Sequence, residues 1–245
     1  MALKKPKFGS VNLKANQDMT KSASVFVDIK PDSKIRVRFL PPWSDAGTLF
    51  FAAFNHYRYK DEGQKRAWGC LTRHGNPEVH GKCAACEFSD ALKANGATKK
   101  AGREIEARGR WYAQVIVEGL EDEGPKLIAL SKTTADQVTE ILTLQANDDE
   151  PFLCDEEEGI WIQIKREGAG LDTVYTVLPT AKIVPLSKLC PDWESKAFDV
   201  VEAVGLHIGT RQDQLRSIVE THRTKYADVY NEVFDQAELM EATTD

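Results

Sequence analysis

Ser33-Lys34-Ile35-Arg36-Val37-Arg38-Phe39-Leu40 alternates strictly between apolar and basic residues. Successive side chains of a β-strand point to opposite faces, so Ile35, Val37 and Phe39 share one face and Lys34, Arg36 and Arg38 the other. The pattern predicts a half-buried strand with a basic open face, ended by Pro41-Pro42. Further strands are predicted downstream. Thr48 to Tyr59 reads as an aromatic strand running into Asn55-His56-Tyr57-Arg58-Tyr59-Lys60. Arg110–Val117 and Lys126–Leu130 read as two more, joined through Gly124-Pro125, and Ile160–Lys165 with Thr173–Leu178 as a hairpin around Gly168-Ala169-Gly170. Thr134-x-x-Gln137 resembles a capping box, and Val138, Ile141 and Leu142 follow at helical spacing, which predicts a helix over Thr134–Leu144. Short strands with one helix among the later ones imply a fold that is mainly β with α, a small barrel or sandwich.

The strand pattern breaks between residues 60 and 108, and the break carries the chemistry. Cys83-Ala-Ala-Cys86 sets two thiols on one tight turn, with Cys70 upstream and His56, His74 and His80 nearby. Zn²⁺ takes four such ligands in a tetrahedron, and four protein ligands leave no open position, so the pattern predicts a structural ion. Cysteine count agrees: five is odd, three fall in one cluster, and a metal site in a reducing compartment fits better than a disulfide framework. The three thiols leave the fourth ligand open. His74 and His80 are nearest in sequence, but a ligand set from one loop ties down only that loop. His56 ends the second strand, so its coordination anchors the insertion to the strands, and it is the preferred choice. A helix near Cys86–Asn95 and a Gly/Lys/Arg-rich loop over Ala94–Gly109 complete the predicted insertion.

Basic and aromatic residues interleave around this segment: Tyr57-Arg58-Tyr59-Lys60, Lys65-Arg66-Ala67-Trp68 and Arg108-Gly109-Arg110-Trp111-Tyr112. A single nucleic-acid strand needs cations for its phosphates and rings for its bases. Candidate phosphate contacts are Arg36, Arg38, Arg58, Lys60, Arg66, Arg108 and Arg110; candidate stacking rings are Tyr57, Tyr59, Trp68, Trp111 and Tyr112. Neighbours on a strand face opposite ways, so of Trp111 and Tyr112 one is expected inside, and Trp161 is expected to pack rather than bind.

Net charge is −6, yet it is segregated: residues 1–112 hold 21 Lys/Arg against 11 Asp/Glu, and residues 113–245 hold 11 against 27. A polyanion responds to the basic face rather than to the total. The first 24 residues read as a flexible basic arm. After Pro179 the apolar spacing turns helical, at Leu215, Ile218, Val219 and His222 and again at Tyr226, Val229, Tyr230, Val233 and Phe234. Ala227–Asp245 holds six acidic residues and no basic one. The expected organisation is an arm (1–24), a strand core (25–185) with the Cys/His subdomain inserted at about 56–108, and a helical acidic region (186–245). No apolar run suits a membrane span, and Met1–Lys7 has no secretory h-region.

In order, Lys34-Ile35-Arg36-Val37-Arg38-Phe39-Leu40-Pro41, Asn55-His56, Cys70, Cys83-x-x-Cys86 and Arg110-Trp111-Tyr112-Ala113 resemble the single-stranded DNA-binding (helix-destabilising) proteins of T-even-type tailed phages. The resemblance covers roughly residues 33–118, with a weaker echo through Leu178. It implies an oligonucleotide-binding barrel (OB-fold) with an inserted zinc subdomain, and zinc on His56, Cys70, Cys83 and Cys86, with His74 part of the pattern but not a ligand. It also implies a non-enzymatic protein that coats unwound DNA in phage replication, recombination and repair, in the cytoplasm of a bacterial host. Expected partners are single-stranded DNA, further copies of the chain in a filament, and replication or recombination proteins at the acidic C-terminus. The Lys/Arg-Ser-Thr element of the family's arm has no counterpart in Leu3–Phe8. The Cys/His cluster by itself also permits a zinc-ribbon transcription or anti-termination factor, but no base-reading helix follows the cysteines. A nuclease needs converging carboxylates, and Asp155-Glu156-Glu157-Glu158 reads as a solvated loop.

Overall fold

The computed structural model describes residues 25–42, 47–59, 65–74, 82–169, 172–204 and 212–241. The arm 1–24, Lys60, His80 and the last four residues lie outside the described residues. For Arg58, Tyr59 and Arg66 the description is of the backbone alone.

Among the described residues one mostly antiparallel sheet organises the chain: β1 (Ser33–Phe39), β2 (Phe51–Tyr59), β3 (Lys65–Gly69), β4 (Arg108–Val117), β5 (Lys126–Leu130), β6 (Ile160–Glu167) and β7 (Val174–Ile183). The order is β3-β2-β4-β1-β6-β7, with β5 paired to β4 off this path. The hub is β4. Its residues Arg108–Tyr112 pair with β2, Val115–Val117 with β1, and Trp111–Val115 with β5. A short parallel contact at Phe26↔Leu127 lays residues 25–27 along the outer edge of β5. The alternation in β1 does what it predicts on one face: Val37 and Phe39 are fully buried, in a core shared with Val115, Val117, Ile128, Leu130, Ile162, Ile164 and Val177. Trp161 packs inside.

The helix after β5, α4 in chain order, runs from Lys132 to Asn147, longer at both ends than its periodicity. Its N-cap is Ser131, whose Oγ accepts from the Thr134 N–H at 3.2 Å. Gln137 is therefore not half of a capping box. Its Nε2 donates to the Tyr175 carbonyl at 3.1 Å and its Oε1 accepts from the Val177 N–H at 3.0 Å. One side-chain amide thus stands in for a strand partner on the open edge of β7, while Ala135 and Val138 of the same helix enter the core.

Arg38 corrects the alternation rule. It falls on the polar face of β1, yet it is fully buried and cannot hold a DNA phosphate. Its guanidinium donates to the carbonyls of Phe39 (2.8 Å), Leu153 (2.6 Å), Val184 (3.4 Å) and Asp155. Burial pulls its pKa down to about 10, so it stays charged at neutral pH. Gly159 makes room, since a Cβ there would overlap the guanidinium. The cation pins the loop 153–159 and the end of β7 to β1. Arg38→Met strands these acceptors and is expected to cost about 3 kcal/mol in urea unfolding, with the DNA affinity of the folded fraction unchanged.

The insertion holds α1 (Leu71–His74), α2 (Ala84–Ala94) and α3 (Lys99–Ile105). The region read as a Gly/Lys/Arg loop contains α3. Gly102 permits it: a Cβ there would lie 2.7 Å from the Ser89 carbonyl oxygen, so only glycine lets α3 approach α2 this closely. Ser89 Oγ bonds the Gly102 carbonyl at 2.8 Å across the contact. Beyond the sheet come α5 (Leu186–Leu189), α6 (Trp193–Lys196) and α7 (Val200–Val204), then α8 (Gln212–Arg223) and α9 (Ala227–Glu241). Leu186 and Cys190 pack on Leu40 and Ile116 of the sheet. By contrast, α8 and α9 join the insertion: Leu215, Ile218, Val219 and Phe234 share a second core with Cys70, Cys83, Phe88, Leu92 and Ile105. No described helix is long and apolar enough to cross a membrane.

Candidate metal centre and nucleic-acid interface

Three separate pieces of chain bring four ligand atoms together. His56 sits on β2, Cys70 follows β3, and Cys83 and Cys86 frame the first turn of α2, where Cys83 is the N-cap. The Cys70 N–H donates to the Phe54 carbonyl at 2.9 Å, which ties the end of β3 to β2. The N-terminal N–H groups of α2 favour negative charge, so a Cys-x-x-Cys on its first turn suits thiolates.

The ligand atoms of His56, Cys70, Cys83 and Cys86 all lie within 4.8 Å of one another, and all but Cys86 are buried. Cys70 Sγ to Cys86 Sγ is 3.4 Å; His56 Nε2 is 3.4 Å from Cys83 Sγ and 3.5 Å from Cys86 Sγ. Zn–S bonds of about 2.3 Å and a Zn–N bond of about 2.0 Å imply tetrahedral edges of about 3.5–3.8 Å. The cluster has the size of that tetrahedron, and its donor set is the one zinc favours.

The imidazole is already aimed. His56 Nδ1–H donates to the Ile105 carbonyl at 2.8 Å, which leaves the Nε2 lone pair pointing at the thiols. Burial opposes charge on His56, yet hydrogen bonds with Cys83 and Cys86 raise its pKa to about 10. Hydrogen bonds from Cys70 and Cys86 push the Cys83 thiol far below its ordinary range, and the same sharing pushes Cys86 and Cys70 up. In the absence of an ion the four groups thus share protons, and a divalent cation binds by displacing them. His74 is engaged elsewhere, since its Nε2 accepts from the Phe54 N–H at 2.7 Å. The proximity of His56 to the thiols, and these two hydrogen bonds, favour His56 over His74, as its place on the second strand predicts.

The basic and aromatic candidates divide by strand register. Phe51 lies opposite Tyr112, Ala53 opposite Arg110 and Asn55 opposite Arg108. Directly paired residues share a face, so Arg108, Arg110, Tyr112, Phe51 and Tyr57 lie on one side of the β2–β4 ribbon. Arg108 and Arg110 are exposed there, and Tyr57 and Tyr112 are half-buried. Burial raises the Tyr112 pKa, with the nearby Tyr57 adding to the rise, so the Tyr112 ring stays neutral. The other side belongs to the cores. Trp68 lies opposite His56 and packs on the second core, and Trp111 packs on the first, edge-on to Phe54 at 5.9 Å. These two indoles serve the cores, which leaves the tyrosines, with Phe51, as the aromatic element beside the arginines.

Arg58 pairs with Arg66, and Tyr59 with Lys65, along the β2–β3 hairpin. Arg36 is not brought to this group. It pairs with Glu118 at 3.3 Å, just past the far end of β4, about 30 Å of strand from Arg108. The acidic run 155–158 is a turn: the Asp155 carboxylate accepts from the N–H groups of Glu157 (2.9 Å) and Glu158 (2.8 Å), which hold its pKa down.

A family model described as gp32 DNA binding protein like matches residues 31–225. The chain belongs to that family. It is a non-enzymatic DNA-binding family, and it is the one the ordered motifs from Lys34 to Ala113 resemble. The match contains β1–β7, the metal cluster and α8. No curated protein matches the chain.

Proposed function

We propose that this gp32-like protein binds single-stranded DNA without marked sequence preference and coats it during replication, recombination and repair of a phage genome in the host cytoplasm. One observation supports this most. The face that carries Arg108, Arg110, Tyr57 and Tyr112 is built on the strands that carry the Cys/His cluster, so cations and rings stand side by side on a stiff ribbon. Phosphates bind the arginines and splayed bases stack on the rings. The strand core, with the open edge of β7 capped by Gln137, acts as a partly open oligonucleotide-binding barrel. The ion is Zn²⁺, held by four protein ligands, and its role is structural. Further copies of the chain, and replication or recombination proteins drawn to the acidic C-terminal region, are its protein partners.

The transcription-factor alternative loses support from α2. That helix follows the cysteines, but α3, α8 and α9 pack around it, so it is not available to enter a major groove. Titration with oligo-dT, followed by intrinsic fluorescence, tests the function. Binding is expected to quench tyrosine and tryptophan emission, to exceed duplex binding by a wide margin, and to weaken with salt at a log–log slope of about −0.7 per phosphate held. Equal affinity for duplex, or a slope near zero, counts against it.

A further inference from the structure

Beyond the arginine–tyrosine face, the ribbon ends in a pocket that it does not form alone. Tyr57 and Arg108 make its strand wall, Glu104 comes from the end of α3, and Ile218, Thr221 and His222 close it from α8. Its volume is about 420 Å³, within the range of small-molecule sites and ample for one nucleobase. Arg108 belongs to both the pocket and the exposed arginine pair, so a strand held on the ribbon passes the pocket mouth.

The wall chemistry is mixed in an informative way. A carboxylate beside a phosphate-binding arginine weakens phosphate binding, so Glu104 is poorly placed if the pocket receives only backbone. It is well placed to accept a hydrogen bond from an exocyclic amino group, the donor that cytosine, adenine and guanine carry and thymine lacks. Tyr57 and the half-buried His222 offer ring surface, and Ile218 an apolar floor. The stack of His222 on Tyr226, with ring centroids 6.2 Å apart and planes 24° apart, steadies the imidazole at the rim.

We propose that α8 completes a pocket for one unstacked, amino-bearing base of the strand that Arg108 holds. This deepens the proposed function and rests on it. The helix thereby contributes to DNA binding directly, and it puts a modest base preference on otherwise sequence-tolerant binding.

The test uses the full chain with its metal and oligo-dC or oligo-dT of about eight nucleotides. Thr221 and Glu104 are both exposed, so Thr221→Trp and Glu104→Ala leave both cores intact; unchanged metal content and circular dichroism verify this. Thr221→Trp fills the pocket and is expected to weaken oligo-dC binding about tenfold, with the salt slope unchanged. Wild type is expected to favour dC over dT about fivefold, and Glu104→Ala to bring that ratio to about one, even though losing an acidic group tightens both. If wild type binds oligo-dT but Thr221→Trp binds oligo-dC as wild type does, or the dC:dT ratio survives Glu104→Ala, the pocket proposal is overturned and the ribbon reading stands. If wild type binds neither oligonucleotide, both fall.

Discussion

Stripping the ion from His56, Cys70, Cys83 and Cys86 is expected to unfold the second core and, with it, α8 and α9. The reason lies in what surrounds the cluster. Cys70 and Cys83 are buried members of the same core as Leu215, Ile218, Val219 and Phe234, more than a hundred residues later in the chain. Gln212 adds a polar clasp beside the ligands: its Oε1 accepts from the Ala84 N–H at 3.2 Å and its Nε2 donates to the Lys82 carbonyl at 2.5 Å. A structural zinc contributes roughly 10–16 kcal/mol of apparent binding energy, as much as the whole stability of a typical domain. Without the cation, three thiols and an imidazole are left to share protons in a buried space. Chelation, or Cys86→Ser, should therefore expose α2, α3, α8 and α9 to protease and lower helical circular dichroism. The Val37–Phe39–Ile162 core should stay protected. One zinc per chain, released in step with that change, is the matching metal measurement. A chelated protein with native melting and native protease resistance contradicts the assignment.

The second large effect is expected on DNA. Arg108→Ala combined with Arg110→Ala should weaken single-strand binding about 100-fold at low salt, since each charge-assisted phosphate contact is worth roughly 1.5 kcal/mol or more. The log–log salt slope should become shallower by about 1.4, or 0.7 for each lost contact. Both side chains are exposed, so stability should hardly change. Arg36→Ala is the comparison within the same strand system. Arg36 is exposed too, but Glu118 already neutralises it and it lies beyond the opposite end of β4, so its loss should move affinity and slope little. Equal losses from Arg36→Ala and from the double variant would mean that charge anywhere on the surface suffices, and the ribbon would lose its role. The tyrosines separate stacking from charge: Tyr112→Ala should weaken binding with no change of slope.

Much of this architecture was legible in one dimension because its causes are local. Alternation in Ser33–Leu40 reflects the two-residue repeat of an extended chain, Arg110–Val117 is rich in aromatic and β-branched residues, and both segments are strands. Cys83-x-x-Cys86 needs only one helical turn to present two thiols together, and the third thiol is near in sequence. The helical spacing of Leu215, Ile218 and Val219 marks a buried face without saying what covers it.

Other roles depended on contacts between distant residues, and no local pattern contains those. Arg38 has the sequence signature of an exposed cation; four carbonyls drawn from three separate parts of the chain make it a buried strut instead. Gln137 resembles a capping residue until β7 arrives beside it. Gly102 looks like a loop glycine, and its meaning appears only where α3 meets α2. Position on the second strand favours His56 over His74, but the contacts that separate the two rings are not local. The Ile105 carbonyl behind one ring aims it at the thiols, and the Phe54 N–H in front of the other makes it a brace. Sequence alone determined which segments extend, where the amphipathic helices lie and which side chains could hold a metal, because backbone periodicity and ligand chemistry act over a few residues. Only the tertiary structure decided which charges face water, which rings serve the cores and which helix walls the pocket, because burial and hydrogen-bond satisfaction are settled by neighbours far away along the chain.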